Sequence, residues 1–498
     1  MMTNIQNLIN SIEYIKTINI HNQIATDISN DSRTAKKEMV FTAIKGFKID
    51  GHKFISSAID QGCEIIIGED IPLNIPEHVA FIQVKDSRIA LGQGAKAIYD
   101  DFSHKMKLIG ITGTNGKTSS TYLLQSLFEN TNKKIGIIGT SGSVINNITT
   151  PLSNTTPESS EVYKLLKKMG DVDTDFAFME VSSHATTLKR IEGLEYEIGI
   201  FTNLTEDHLI FHKTMENYYL AKKAFFDQVK TSIVNIDDTY GQRLYNELSA
   251  EGKTVYSYSI NKASDFKASN VHTSMMGSSF VFETKSGNID INVKTPGDFS
   301  VYNSLGVAGA AFLSGINLES IKHGLEKIPG VPGRFEILPT NLDCTIILDF
   351  AHTPDGLEKV MMTIDQFAKG RKIVLFGAQG ERDRARRGQM GDIAGRYCDL
   401  SILTEDNPVF ENPLDICKEI AKAIEPLQGD YKIIVNRTEA IEYAIDTFQP
   451  NDVILLAGKS TEPYQMIKDK KIPYDEKSIA LNAIRKTELR LGLCNESK

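Results

Sequence analysis

Lys107-Leu108-Ile109-Gly110-Ile111-Thr112-Gly113-Thr114-Asn115-Gly116-Lys117-Thr118 is the stretch on which the fold turns. Leu108 to Thr112 is the apolar, β-branched run of a buried strand, a glycine-punctuated turn follows, and Thr118 to about Glu129 has helical periodicity. The next strand, Lys134 to Ile138, completes a strand–helix–strand unit and predicts a parallel sheet covered by helices. Between strand and helix, glycines let backbone N–H groups approach phosphate oxygens, and the helix N-terminus adds a favourable dipole. Lys117 can reach the β- and γ-phosphates of a nucleotide, and the Thr118 hydroxyl can hold Mg2+. The spacing is not the usual Walker pattern, which wants glycine where Ile111 stands; it is T-G-T-N-G-K-T. An ordinary glycine turn with a surface lysine is the bland alternative, disfavoured because strand, glycines, lysine and threonine agree.

Outward from this loop the chain reads as three α/β segments, 1–104, 105–330 and 331–498. In the first, Val40 to Ile44 and Glu64 to Ile67 are strand-like, with a helix over Phe54 to Gln61 between them, ended by Gly62. In the second, the polar, strand-rich stretch Thr254 to Lys294 predicts an antiparallel edge. The cluster Ile328-Pro329-Gly330-Val331-Pro332-Gly333 reads as a hinge or linker. Beyond it, Thr345–Asp349, Lys372–Phe376, Leu400–Thr404, Lys432–Val435 and Val453–Ala457 predict five buried strands separated by helices, a small doubly wound sheet of Rossmann type.

Composition narrows the function. The 498 residues carry 64 acidic against 55 basic side chains, a net charge of -9, which argues against broad nucleic-acid binding but leaves room for a local basic pocket. The five cysteines form no C-x-x-C pair, so reduced cytosolic thiols are expected rather than zinc or a disulfide framework. The N-terminal stretch has no secretory apolar region and no apolar run of about 18 residues occurs, so no membrane span and a cytoplasmic location are expected. A monomer is the expected state.

Three further residues carry possible chemistry. Glu180 ends the apolar run Phe176-Ala177-Phe178-Met179, where a carboxylate would lie near the phosphate loop of an open sheet. It reads equally as a magnesium ligand or a surface glutamate. His208 lies downstream in Asn203-Leu204-Thr205-Glu206-Asp207-His208-Leu209, as a metal ligand or a structural histidine. Lys222, in a helix predicted over Tyr218 to Phe226, is by composition a solvated lysine.

Taken in order, these motifs resemble the Mur ligase family. The set is Thr112 to Thr118, Glu180-Val181-Ser182-Ser183-His184, Asn203-Leu204 with Asp207-His208-Leu209, Ala221-Lys222, Tyr302-Asn303, Pro332-Gly333-Arg334-Phe335, Asp349-Phe350-Ala351-His352-Thr353-Pro354 and Gly380-Glu381-Arg382-Asp383. It spans most of the chain. Asp31-Ser32-Arg33 with Val40-Phe41 and Asp50-Gly51-His52 is similar to the uridine-binding domain of the branch that adds a diamino acid to UDP-N-acetylmuramoyl-L-alanyl-D-glutamate. The resemblance implies an N-terminal uridine-binding domain, a central phosphate-loop ATPase domain and a C-terminal Rossmann-like domain. It implies an ADP-forming ligase of peptidoglycan precursor synthesis that works through an acyl-phosphate. Gly113, Thr114, Asn115, Gly116, Lys117, Thr118 and Ser119 would hold ATP, with Asn303 and Arg334. Thr118 and Glu180 would hold a first Mg2+ and His208 a second. Lys222 matches the family's carbamylated lysine; CO2 turns an ammonium that would repel Mg2+ into an anionic oxygen ligand. Lys117, Glu180, His208 and Lys222 are thereby the expected catalytic set. Ser32, Thr155, Thr156, Ser182 and Arg190 match residues that hold the UDP-muramoyl dipeptide. Asp349 and His352 match junction residues, and Arg382 and Arg437 match positions near the amino acid and ATP.

Several positions depart from the family pattern. Ile210 stands where Asp is common, Ala378-Gln379 where Cys-Gly is frequent, Gly388 for a proline, and Lys459-Ser460-Thr461-Glu462 for K-G-H-E. In Asp406-Asn407-Pro408-Val409, diaminopimelate-adding relatives carry Arg at the fourth place, where a guanidinium grips the extra carboxylate. Val409 cannot, so L-lysine is the expected amino acid, with Asp406 and Glu462 facing ammonium groups. Ornithine or meso-diaminopimelate, the latter with Arg384 or Arg386 in the gripping role, remain alternatives. So do a sister ADP-forming ligase and a non-catalytic nucleotide switch.

Overall fold

The computed structural model describes residues 2–47, 49–129 and 131–494, so the ends of the first and last predicted segments lie outside the described residues. It divides into two compact units. One comprises Met1–Gly113, Leu127–Asn203 and Glu216–Ser257; the other comprises Thr114–Ser126, Leu204–Met215 and Tyr258–Lys498.

Besides the short pair of Thr3–Asn4 with Ile24–Ala25, the first unit holds two larger sheets among its described residues. In the N-terminal one, the strands run in the order Tyr14–Ile18, Ala80–Val84, Ile65–Gly68, Met39–Thr42, Asp27–Ser29, parallel except for the first. Ile65, Ile66 and Ile67 are all buried, as a strand covered on both faces requires. The helix Ser87–Tyr99 packs on this sheet, its first turn capped by the Asp86 carboxylate, which accepts from Arg88 N and Ile89 N.

The second sheet of this unit runs Ile148–Thr150, Gly142–Ile145, Ile135–Gly139, Phe176–Glu180, Lys107–Thr112, Tyr196–Phe201, Val229–Asn235. The last five are parallel, with Lys107–Thr112 at their centre. The strand–helix–strand reading therefore holds, with the helix at Lys117–Glu129 and the next strand at Ile135–Gly139. The hairpin 142–150 was not foreseen. Its signal is Asn146-Asn147, both left-handed at φ 49° and 61°, the mirror-image turn that matches strand twist.

In the second unit the polar stretch is only partly the predicted antiparallel edge. Tyr258 and Ser259 pair parallel with Phe266 and Lys267; the antiparallel meander is Phe266–Ser274, Gly277–Thr284 and Gly287–Val293. The C-terminal sheet runs Glu336–Ile337, Cys344–Asp349, Asp452–Ala457, Lys372–Phe376, Leu400–Leu403, Tyr431–Ile433, parallel except for the first. Its side chains alternate: Ile347, Val374, Phe376, Leu403 and Leu455 face one apolar layer, while Ile346, Leu348, Ile373, Leu375 and Ile454 face the other. Period two with both faces buried makes this a doubly wound sheet, as predicted.

The proline–glycine cluster is not free along its whole length. Gly333 N donates to Glu336 Oε2 at 2.7 Å, and Gly333 O accepts from Phe350 N at 3.0 Å and Ser460 Oγ at 2.9 Å. Val331, 5% exposed, is also held: its carbonyl accepts from Arg334 N at 3.0 Å. Among the described residues, no helix is long and apolar enough to cross a membrane.

Candidate active site

The strand Lys107–Thr112 delivers the chain to Gly113 at the carboxyl end of the parallel sheet. A Cβ on Gly113 would lie 1.8 Å from Thr202 Oγ1, and its φ is 152°, so only glycine fits. Lys222 is not the solvated lysine that composition suggests. It is 1% exposed, and its Nζ donates to the Gly113 carbonyl at 2.8 Å. The predicted helix around it ends early: Met215–Lys223 is α-helical, and Ala224–Gln228 tightens into a 3-10 turn that buries Phe225 and Phe226.

Glu180 is likewise buried, which removes the surface-glutamate alternative. It ends its strand opposite Ile111. Its carboxylate accepts from Thr140 N at 2.9 Å and Thr140 Oγ1 at 3.0 Å. A Cβ on Gly139 would fall 2.4 Å from Glu180 Oε1, so that glycine makes room for it. The network continues into the residues matched to the dipeptide. Thr140 Oγ1 lies 3.0 Å from Thr155 Oγ1, and Thr156 Oγ1 donates to Glu180 O at 2.8 Å and accepts from Ser182 N at 3.1 Å. Arg190 donates to Thr156 O at 3.0 Å and pairs with Glu158 at 2.8 Å. Thr155, Thr156, Glu180, Ser182 and Arg190 are thus one connected cluster. Ser32, in the N-terminal sheet's region of the same unit, stands in a 3-10 turn capped by Asp31.

The second unit holds the rest of the loop. Thr114 Oγ1 accepts from Thr205 N at 3.0 Å, Lys117 Nζ donates to Thr114 O at 2.8 Å, and Asn115 Nδ2 donates to Asp355 Oδ2 at 2.8 Å. Gly116, at φ 91°, leaves room for Asn303, whose Oδ1 would lie 2.4 Å from an added Cβ. Thr118 and Ser119 occupy the first turn of the helix Lys117–Glu129. His208 is left-handed at φ 55°, and its Nε2 lies 3.5 Å from Asp207 Oδ2. Asp207 also pairs with Arg386. Burial alone would raise the Asp207 carboxyl, but His208, Arg386 and His352 around it bring it down to about 2. Burial holds the His352 imidazole below its ordinary range.

Asp349, matched to a junction position, and Arg437, matched to a position near ATP, are engaged internally. Asp349, 6% exposed, accepts from Phe335 N and Ala351 N, both at 2.6 Å, and burial keeps its carboxyl above the usual range. Arg437 is fully buried; it pairs with Glu476 at 2.7 Å and donates to Ala457 O at 2.7 Å, so it braces the sheet end rather than facing ATP. Arg334 stacks over Phe350, 4.4 Å from the ring centre.

The Asp406-Asn407-Pro408-Val409 loop surrounds a cation that the sequence reading overlooked. Lys459 is 0% exposed, with its Nζ 2.6 Å from Asn407 Oδ1, 2.6 Å from Glu462 Oε2 and 3.7 Å from Asp406 Oδ1. Glu462 therefore already faces one ammonium, the chain's own. Val409 is left-handed at φ 53°, unusual for a β-branched residue, and is held by Val409 N to Met466 O at 3.1 Å and Lys468 N to Val409 O at 2.7 Å. Ser460 is also left-handed at φ 54°, which gives a backbone reason for the glycine usual there. Of the nearby arginines, Arg386 pairs with Asp207, Arg384 with Glu411, and Arg387 with Glu411 and Glu419. Arg382 is exposed and donates to Gln379 Oε1 at 3.0 Å.

The donor set fits magnesium. Mg2+ takes oxygen ligands and keeps several waters, and within the first unit the buried Glu180 carboxylate is an oxygen donor of that kind. Among the described residues, no group of three or more His, Cys, Asp or Glu side chains is placed to claim a metal by itself.

Three family models match the chain: the Mur ligase middle domain over residues 111–311, the Mur ligase glutamate ligase domain over 333–460, and the Mur ligase family catalytic domain over 25–99. A UDP-N-acetylmuramoyl-L-alanyl-D-glutamate–2,6-diaminopimelate ligase of Clostridium tetani is 45% identical over 92% of this chain and 95% of its own length. One of Clostridium acetobutylicum is 42% identical over 92% and 94%. A solved structure of a UDP-N-acetylmuramoyl-L-alanyl-D-glutamate–2,6-diaminopimelate ligase superposes with a TM-score of 0.69 at 27% identity, covering 98% of this chain and 100% of that one. The MurF of Acinetobacter baumannii, at 18% identity and a TM-score of 0.68, shares the fold.

Proposed function

The chain belongs to the Mur ligase family, and from that premise we propose that it is an ADP-forming ligase joining a diamino acid to the D-glutamate of UDP-N-acetylmuramoyl-L-alanyl-D-glutamate. The observation that carries this reading is the cluster in which Glu180, at the end of the strand beside the phosphate loop's own, is bonded into Thr155, Thr156, Ser182 and Arg190. One network would then serve both the nucleotide end and the dipeptide end of the reaction.

In the proposed sequence, the γ-carboxylate of the D-glutamate attacks the γ-phosphorus of ATP, and the β–γ bridge breaks to release ADP. The amine of the diamino acid then attacks the acyl-phosphate carbon, phosphate leaves, and the amine loses a proton. Gly113 to Ser119 and Lys117 cradle the triphosphate, while Asn303 and Arg334 serve the nucleoside. Thr118, Glu180, His208 and Lys222 are the residues that would hold Mg2+, which when bound neutralises charge on the triphosphate. Lys222 would do so as its carbamate, a modification compatible with its burial. Most of the chain's contribution is placement and charge.

The relatives described above are named for 2,6-diaminopimelate, so the expectation of L-lysine drawn from Val409 gains no support from them. Diaminopimelate is the better-supported amino acid. Arg382, which donates to Gln379 and pairs with no carboxylate among the described residues, is a guanidinium that could take the second carboxylate; Arg384 and Arg386 are paired with Glu411 and Asp207. L-Lysine stays as the second reading on one observation, the apolar side chain at 409.

The test is ADP release with the UDP-muramoyl dipeptide and Mg2+, offering meso-diaminopimelate, L-lysine and L-ornithine separately. Turnover with meso-diaminopimelate supports the main reading, and turnover with L-lysine alone the second. ADP release that ignores the dipeptide would overturn both in favour of a nucleotide switch.

A further inference from the structure

Within the second unit, three contacts among the described residues help to hold the phosphate loop. Thr114 is bonded to Thr205, Gly116 backs onto Asn303, and Asn115 donates from Nδ2 to Asp355 Oδ2 at 2.8 Å. The third hold joins residues 240 apart in sequence. Asp355 stands in the first turn of the helix Pro354–Asp365, whose cap is Thr353, and it pairs with Lys359 one turn on at 2.9 Å. An acid in the first turn with a lysine four residues later is ordinary helix chemistry and explains the residue without any ligand. It does not explain the bond to Asn115.

Resting on the ligase reading above, we propose that Asp355 is a positioning residue for the nucleotide: it fixes the Asn115 side chain, and with it the loop whose N–H groups must face the triphosphate. Gly113 and Gly116, at φ 152° and 91°, give that loop conformations that few other residues adopt, and freedom that must be lost when phosphate binds. A carboxylate that anchors Asn115 beforehand lowers this cost. Lys359 offsets the carboxylate's charge, so it does not repel the incoming triphosphate.

The test is affinity for a non-hydrolysable ATP analogue with Mg2+, measured by calorimetry on the full chain and two variants. Wild-type protein that binds no analogue would count against the ligase reading itself. Given wild-type binding, Asp355→Ala is expected to weaken affinity about ten- to a hundredfold, the scale of a charged hydrogen bond. Asp355→Asn keeps an acceptor oxygen for Asn115 but loses the charge facing Lys359 and the helix end, and should stay within about threefold of wild type. Undiminished affinity in Asp355→Ala, or equal losses in both variants, would overturn the proposal.

Discussion

Lys222 Nζ and the carbonyl of Gly113 are hydrogen-bonded at 2.8 Å, with the lysine 1% exposed. The bond joins the helix Met215–Lys223 to the first residue of the phosphate loop and buries there a side chain that reads as surface lysine. Lys222→Ala is therefore expected to cost about a hundred- to a thousandfold in kcat, the scale of deleting one preorganised electrostatic group. Circular dichroism should show a folded protein. Ligation at the wild-type rate would remove Lys222 from the catalytic set, and incubation with 13C-bicarbonate should show a carbamate carbon signal that this variant lacks.

The Glu180 carboxylate is oriented from one side by Thr140, through both the backbone N–H and the hydroxyl. Thr140→Val keeps the shape and the N–H bond but removes the hydroxyl that also reaches Thr155. Loss of a hydrogen bond to a charged group is worth about 1.5–3 kcal/mol. If Glu180 acts in the chemical step, kcat should fall about ten- to a hundredfold, while the melting temperature moves little because Thr140 is exposed. A fall in melting temperature with kcat intact would make the network structural.

What the sequence made legible was periodic. Ile346, Ile347 and Leu348 alternate between two buried layers, and Leu108 to Thr112 run straight into glycines, so the strands and the phosphate loop could be read directly. What it hid was pairing over distance. Nothing local marks Lys459 as a fully buried cation among Asn407, Asp406 and Glu462, or Arg386 as the partner of Asp207, or Arg437 as a brace on Glu476. Charged side chains follow no period, and their partners lie on other elements. The left-handed Val409 and Ser460 were equally invisible, because neither residue type advertises that conformation. Asn146-Asn147 did advertise its turn and was passed over.

Position 409 is where the two amino-acid readings can be set against each other. Its backbone is pinned by Met466 and Lys468, so a larger side chain at 409 would leave from a fixed point. Val409→Arg is expected to raise kcat/KM for meso-diaminopimelate relative to L-lysine by about ten- to a hundredfold, as one charged, forked contact with the second carboxylate would. Parallel ADP-release assays read the ratio. An unchanged ratio would mean that the second carboxylate lies elsewhere, and Arg382→Ala would be the next variant.

Acid stability should report on Arg387, which is 1% exposed and pairs with Glu411 and Glu419, both at 2.8 Å. The hydrogen bond from Arg387 holds the Glu411 carboxyl at about 2, against roughly 4.3 in an unfolded chain. A carboxyl depressed on folding stabilises the protein fully above its unfolded value, and the contribution is lost as pH falls toward the folded one. Glu411→Gln should therefore be less stable than wild type by about 1–3 kcal/mol at neutral pH, the range for losing a charged hydrogen bond beside a buried arginine. The gap should narrow as pH drops from about 4.3 toward 2, because in that window the unfolded wild-type chain takes up a proton at Glu411 that the folded one does not. Urea unfolding midpoints at several pH values measure the gap. A gap that stays constant through that window would show that Glu419 alone neutralises Arg387, and that Glu411 contributes shape rather than charge.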